Sequence, residues 1–182
     1  MNCHYLQKWR KDNTIIFGLE KHVMRRNDRE VKDIINIIEI IQRCDVCRIA
    51  VNDYPVPYIL PLNFGMEILK EKIILYFHGA NEGRKYELIK NNNRVSFEMD
   101  CSHKLVTTPE TGSCTMEYES VIGDGYIEFV NEESKEHALN ILMKQYHKEE
   151  FSFNKNVIAR TTIMKLEVEN ITGKVRMKKN DK

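Results

Sequence analysis

Residues 56–64, Val-Pro-Tyr-Ile-Leu-Pro-Leu-Asn-Phe, are rich in apolar side chains yet contain Pro57 and Pro61. Proline has no N–H to give a sheet ladder, so a strand here must be an edge, a bulge or a place where the ladder opens. An opened ladder leaves backbone donors and acceptors free for a ligand. A sheet in which this stretch is an ordinary central strand is therefore excluded.

The segments around it set the fold class. Residues 46–51 read as a strand running into Asn52-Asp53-Tyr54-Pro55, turn chemistry that suits a hairpin. Residues 72–77 form a third strand, nearly continuous in apolar residues from Ile73 to Phe77. Residues 94–100 and 116–130 are further strands, the second with a bend at Gly123 and Gly125. Residues 157–169 alternate apolar and polar side chains like a final strand. Between these lie three helical patterns. The first is capped at Asn27 with Glu30 three positions on, carries Val31, Ile34, Ile35, Ile38 and Ile41 at helical spacing, and ends near Arg43. A short one covers 82–90, and a longer one covers 132–146 with Leu139, Leu142, Met143 and Tyr146 on its core side. Six or so strands with inserted helices describe an α+β barrel. The irregular order and the absence of G-x-G-x-x-G exclude a doubly wound dinucleotide-binding sheet.

Charge narrows the class of partner. Lys plus Arg (28) nearly cancels Asp plus Glu (27), so no net field attracts nucleic acid or an anionic membrane. No apolar run reaches the ~20 residues of a membrane span, and the N-terminus lacks a signal-peptide core, so the expected setting is the cytoplasm. Residues 1–23 hold the chain's one Trp (Trp9) and no clean period, and read as an N-terminal extension. The domain proper is expected at 24–173, followed by a basic tail at 174–182. Five cysteines without an export signal are expected to be reduced thiols. Cys44 and Cys47 have C-x-x-C spacing, but Cys101, His103 and Cys114 do not supply a second tight ligand pair, so no metal is expected. Cys47 is expected to point into the barrel as a small apolar side chain.

The chemistry concentrates between Leu75 and Lys85. A buried strand ends, Gly79 and Ala80 permit a tight turn, and a helix begins near Glu82. Free N–H groups at a helix start attract anions. Arg84 and Lys85 place two cations there, unfavourable for the helix dipole unless something negative binds, since arginine grips a phosphate in two parallel bonds and lysine adds a point charge. Without a ligand they are ordinary solvated helix residues. His78, at the strand's end, is either a proton carrier that changes charge near physiological pH or a structural histidine bonded to backbone. His103 lies in a polar loop, 102–115, placed to cover the site, whereas His137 and His147 read as surface residues.

A proline-bearing strand, an apolar strand, two small residues and Glu82-Gly83-Arg84-Lys85, in that order, resemble the FMN-phosphate motif of the pyridoxamine 5′-phosphate oxidase superfamily. The likeness takes in 47–50, 57–65 and Tyr118 to Gly125, covers roughly residues 24–173, and is nearest the nitroimidazole-reductase (Nim) branch. It implies a six-stranded antiparallel split β-barrel with flanking helices, and a homodimer carrying FMN at its interface. Arg84 and Lys85 would hold the phosphate, with Gly79 and Gly83 allowing close approach. Tyr58, Leu60, Pro61, Leu62 and Asn63 would line the isoalloxazine ring, and Ser120 would reach the partner subunit's flavin. His78 would stand beside the flavin as the catalytic residue. Phosphate oxidases proper have Arg and Lys where this chain has Tyr58 and Asn63, and no His follows His147 to form their C-terminal Arg-x-His pattern. The expected activity is therefore not pyridoxamine phosphate oxidation. It is reduction of a small electron-poor compound, such as a nitroaromatic, by a reduced electron donor. The alternatives are a non-catalytic flavin- or haem-binding module on the same barrel, and an oligonucleotide-binding barrel, which the balanced charge disfavours.

Overall fold

The computed structural model describes residues 24–149 and 151–177. Eight strands form one antiparallel sheet: β1 (Glu30–Val31), β2 (Cys47–Val51), β3 (Tyr58–Leu62), β4 (Phe64–Leu69), β5 (Lys72–Ala80), β6 (Arg94–Thr108), β7 (Ser113–Phe129) and β8 (Thr161–Arg176). Their order is β3-β2-β6-β7-β8-β5-β4, with β1 joined to β8. The two ends of that path, β3 and β4, are consecutive in the chain and separated by Asn63 alone. The sheet therefore has to curl until its edges meet at Asn63, which makes it a barrel with one unzipped seam.

That seam corrects the reading of 56–64 as one strand. The break follows from a long-range partner: the Phe64 N–H donates to the Tyr146 hydroxyl (3.0 Å), which itself donates to the Asp45 carbonyl (2.8 Å). A side chain 82 positions away thus satisfies backbone that a continuous ladder would have used. Pro61 lies in β3, an edge strand paired only with β2, as its missing N–H requires.

Among the described residues, four α-helices flank the sheet: α1 (Ile34–Arg43), α2 (Arg84–Asn91), α3 (Lys135–Tyr146) and α4 (Lys155–Ala159). The first begins later than Asn27. Asp33 caps it, accepting from the Ile35 N–H at 2.9 Å, while 27–29 is a single 3-10 turn and Glu30 and Val31 pair with Lys174 and Gly173. Ile37, Ile38, Ile40 and Ile41 of α1 join Phe64, Phe77 and Phe97 in the main core. The unbroken apolar run of β5 is explained by burial on both faces. Ile73, Leu75 and Phe77 fill the barrel, while Ile74 and Tyr76 pack outside it with Ala138 and Leu139 of α3. Cys47 is fully buried inside the barrel, as its sequence position suggested.

Three further expectations are corrected. The polar loop 102–115 is instead a continuation of the β6–β7 ladder, paired from Lys104 with Glu117 to Thr108 with Ser113 beyond a register shift after Cys101. Residues 157–159 belong to α4, because the Asn154 side chain caps the Asn156 N–H (2.9 Å) and turns the chain before β8 starts at Thr161. Lys174 to Arg176 pair with β7 and do not fray. The bend at Gly123–Gly125 coincides with a register shift against β8. Residues 1–23 with Trp9, and 178–182, lie outside the described residues. Among those described, no helix is long and apolar enough to cross a membrane.

Candidate functional site

The start of α2 is set by Gly83, whose φ of 141° is a conformation that side-chain-bearing residues rarely adopt. Arg84 and Lys85 are consequently the first two residues of α2, and not members of a helix begun at Glu82. Both cations stand at the positive end of the helix dipole. Arg84 forms an ion pair with Asp53, from the β2–β3 connection, and its guanidinium carbon lies 5.2 Å from the Tyr58 ring centroid. The first residues of β3 and α2 thus meet. Lys85 Nζ sits 4.4 Å from the Tyr86 ring centroid, and among the described residues no carboxylate pairs with it.

The tight turn expected from sequence at Gly79 and Ala80 is absent: both residues continue β5. Gly79 lies opposite Thr162 of β8. A Cβ there would stand 2.7 Å from the Tyr86 hydroxyl and 3.1 Å from Lys85 Nζ, so a glycine lets α2 close onto the strand. The Tyr86 hydroxyl donates to the Ala80 carbonyl and fixes that contact.

His78 faces the other way. Side chains alternate along a strand, so its ring projects from the side of β5 opposite Phe77 and Gly79, beside Ile163. It is exposed, and no hydrogen bond joins its ring to the described residues, which removes the reading as a backbone-bonded structural histidine. Partial desolvation pushes its pKa below the ordinary imidazole value, favouring the neutral ring.

Along β3, Leu60 and Leu62 pack toward the core while Ile59 and Pro61 face outward. The strand leads from Tyr58 beside Arg84 to Asn63 at the seam, where Asn63 Nδ2 donates to the Asp45 carbonyl at 3.4 Å. Tyr58, Gly79, Gly83, Arg84 and Lys85 are therefore brought together, with Leu60, Pro61, Leu62 and Asn63 extending away along the free edge. Ser120 is not part of this group within one chain. It pairs with Asp100 and Lys174, nine positions along β7 from Phe129, whose ring meets Tyr86 of α2 at 5.8 Å, or roughly 30 Å at strand rise.

Sequence reasoning missed Asp53, which it took only as a turn former. Nothing local marks it, because Arg84 is 31 positions away. It also missed a cleft of about 270 Å³ beside α2, lined by Tyr86, Lys90, Phe129, Lys135 and Ile163 among others. His103 pairs with Asp100 (2.9 Å) and His137 with Glu67 (3.2 Å), away from the Arg84 group. Among the described residues no cluster of three or more His, Cys, Asp or Glu is arranged to hold a metal ion.

A family model described as pyridoxamine 5′-phosphate oxidase matches residues 35–175. Among solved structures, the chain is similar to a candidate 5-nitroimidazole antibiotic resistance protein from Bacteroides thetaiotaomicron, with 35% identity, a TM-score of 0.70, and coverage of 80% of this chain and 86% of that one. A flavocytochrome from Azotobacter vinelandii (18% identity, TM-score 0.70, 86% and 73% covered) has the same fold. So does an FAD and haem binding protein from Mycobacterium smegmatis (14%, 0.68, 81% and 73%). No curated protein matches the chain in sequence.

Proposed function

Because the chain belongs to the pyridoxamine 5′-phosphate oxidase family, we propose that it is an FMN-dependent oxidoreductase that reduces a small electron-poor compound, such as a nitroimidazole or another nitroaromatic, using a reduced electron donor. The observation that carries this reading is the paired cation at the start of α2, closed over Gly79, with Lys85 free of any carboxylate among the described residues. A terminal phosphate suits that arrangement, because the first turn of α2 carries helix N–H groups, a lysine point charge and the Arg84 fork. That chemistry favours FMN over a flavin whose phosphate is esterified on both sides. The nitro-compound class is supported by the relative from Bacteroides thetaiotaomicron, at 35% identity over most of both chains.

When bound, the flavin supplies two-electron transfer. The chain's own residues do the rest. Arg84 and Lys85 anchor the phosphate, and β3 offers a free edge from Tyr58 to Asn63 along which a flat ring can lie. His78, neutral and unbonded, is the group available to hold or deliver a proton outside the barrel. Its outward direction, and the separation of Ser120 along β7 from the strand end that meets α2, support a site completed between two subunits. The exposed outer face of the sheet suits such pairing, since Ile59, Ile122 and Tyr126 lie there between the ion pairs Arg48–Glu98 and Arg94–Asp124.

The test is an absorption spectrum and titration of the purified protein. FMN bands are expected, with Arg84→Ala/Lys85→Ala weakening FMN binding by about 1.5–3 kcal/mol for each charge-assisted bond lost. Unchanged affinity in the double variant rejects the site, and a Soret band with no turnover favours a haem-binding module.

A further inference from the structure

The cleft beside α2 is built from residues that the Arg84 group does not use. None of Asp53, Tyr58, Gly79, Gly83, Arg84 and Lys85 lines it. Its walls come instead from α2, the end of β7, the start of α3 and the first residues of β8. The floor is firm, because Ile163 is almost fully buried and its carbonyl accepts from the Val130 N–H at 2.9 Å. One wall is aromatic. The Phe129 ring lies 5.8 Å from that of Tyr86, tilted by 50°, and Phe129 is still 38% exposed. A large apolar ring left partly in water gains by covering it with another flat apolar group.

The polar groups around that wall are mostly cationic. Lys135, the first residue of α3, has a side chain only 7% exposed, and its ammonium lies 2.6 Å from a Glu132 carboxylate oxygen. A buried cation ordinarily needs a partner buried with it. Here the partner side chain is 78% exposed, so Glu132 can swing into water while Lys135 stays in place. Lys90, in the last turn of α2, pairs with no carboxylate among the described residues. Asn81 Oδ1 accepts from the Thr162 hydroxyl at 2.9 Å, which leaves the Asn81 NH₂ group as a donor. Two ammonium groups against the one carboxylate of Glu132 give the lining an excess of one positive charge.

We propose that this cleft binds a small aromatic carboxylate. The ring covers Phe129 and Tyr86, and the carboxylate takes the Lys135 ammonium over from Glu132, with Lys90 and the Asn81 amide as further donors. A single negative charge matches the excess on the lining. Size sets the upper limit. A volume of about 270 Å³ lies below the ~300–1,000 Å³ of sites for drug-sized ligands, so the occupant has one ring and is not a flavin nucleotide.

Isothermal titration of the full-length protein with benzoate at neutral pH tests this. Saturable binding of one benzoate per chain is expected. Acetate, which lacks the ring, and benzylamine, which carries the opposite charge, should each bind at least about tenfold more weakly. Lys90→Ala should weaken benzoate by about tenfold or more, the scale of one charge-assisted hydrogen bond. Lys135→Met keeps the bulk of the buried stem and should do the same. Glu132→Gln should act in the opposite direction and tighten benzoate several-fold, because it removes the competing carboxylate. A purely structural ion pair would not produce that gain. Arg84→Ala/Lys85→Ala should leave benzoate affinity within about twofold, as for independent sites, so failure here and failure of the flavin-phosphate assignment are read separately. The proposal is overturned by the lack of saturable benzoate binding, or by equal binding of benzylamine. Weaker binding in Glu132→Gln, or loss of benzoate in the Arg84/Lys85 double variant, overturns it as well.

Discussion

His78 stands on the outer side of β5 with no hydrogen bond to any described residue, and desolvation depresses its pKa. If it carries a proton in turnover, His78→Ala should lower the rate by ~10²–10⁴-fold while FMN stays bound. The wild-type pH profile should break below the reference imidazole value of ~6.5. The sign for stability follows. A depressed folded pKa means the unfolded chain binds the proton first, so this contribution is complete above the unfolded value and is lost as pH falls toward the folded one. Stopped-flow oxidation by a nitroaromatic and acid melts of the variant read the two effects separately. Asp53 offers a second test. Its carboxylate already holds Arg84 and would repel a bound phosphate. Asp53→Asn keeps an acceptor for Arg84 and removes the charge, so FMN affinity should rise by about 2–3 kcal/mol, the Coulomb energy of unit charges ~6–8 Å apart at an effective dielectric near 20. Weaker binding in a titration would show that Asp53 serves to position Arg84.

The end of α1 is tied to β7 by Arg43, which donates to both oxygens of the largely buried Glu119. Burial alone raises the Glu119 pKa, but the bonds from Arg43 and Ser102 outweigh it and hold the carboxyl below its usual value. Stability from this link is therefore present above the ordinary carboxylate pKa and lost as pH falls through the folded value. Glu119→Gln should cost roughly 1–3 kcal/mol at pH 7 and much less near pH 3, which urea melts at the two pH values will show. The helix itself was legible in sequence, because isoleucines at helical spacing need only one core to face. Its start was not: Asn27 and Glu30 match a local capping rule, yet Glu30 is drawn into a strand by Lys174, far along the chain. The same holds at the site. Arg84 and Lys85 could be picked out because charge at a helix start is a local signal. The role of Gly79 depends on Tyr86 closing over it, and that of Asp53 on a contact between distant elements. The division of 56–64 depended on a tyrosine hydroxyl from α3. Local periodicity survived folding, and what it could not carry was pairing between remote backbone groups.

At the scale of the molecule, the proposed sharing of the site between two subunits would make association and cofactor retention one event. Ile122 is 55% exposed on the outer face and lies opposite Glu98 of β6. Ile122→Glu adds a like charge there, and should give a monomer that loses FMN while its own barrel still melts cooperatively. Light scattering together with the flavin spectrum checks this; a monomer with stoichiometric FMN would contradict it. The unzipped seam has a separate consequence. A strand edge with a regular row of unpaired donors and acceptors is a template on which strands from other molecules can polymerise. On β3 that row is interrupted at Pro61, which has no donor to offer. Fibre-like growth along the ladder is therefore discouraged at the one place where the barrel fails to close, and copies of the chain are left to meet through their faces.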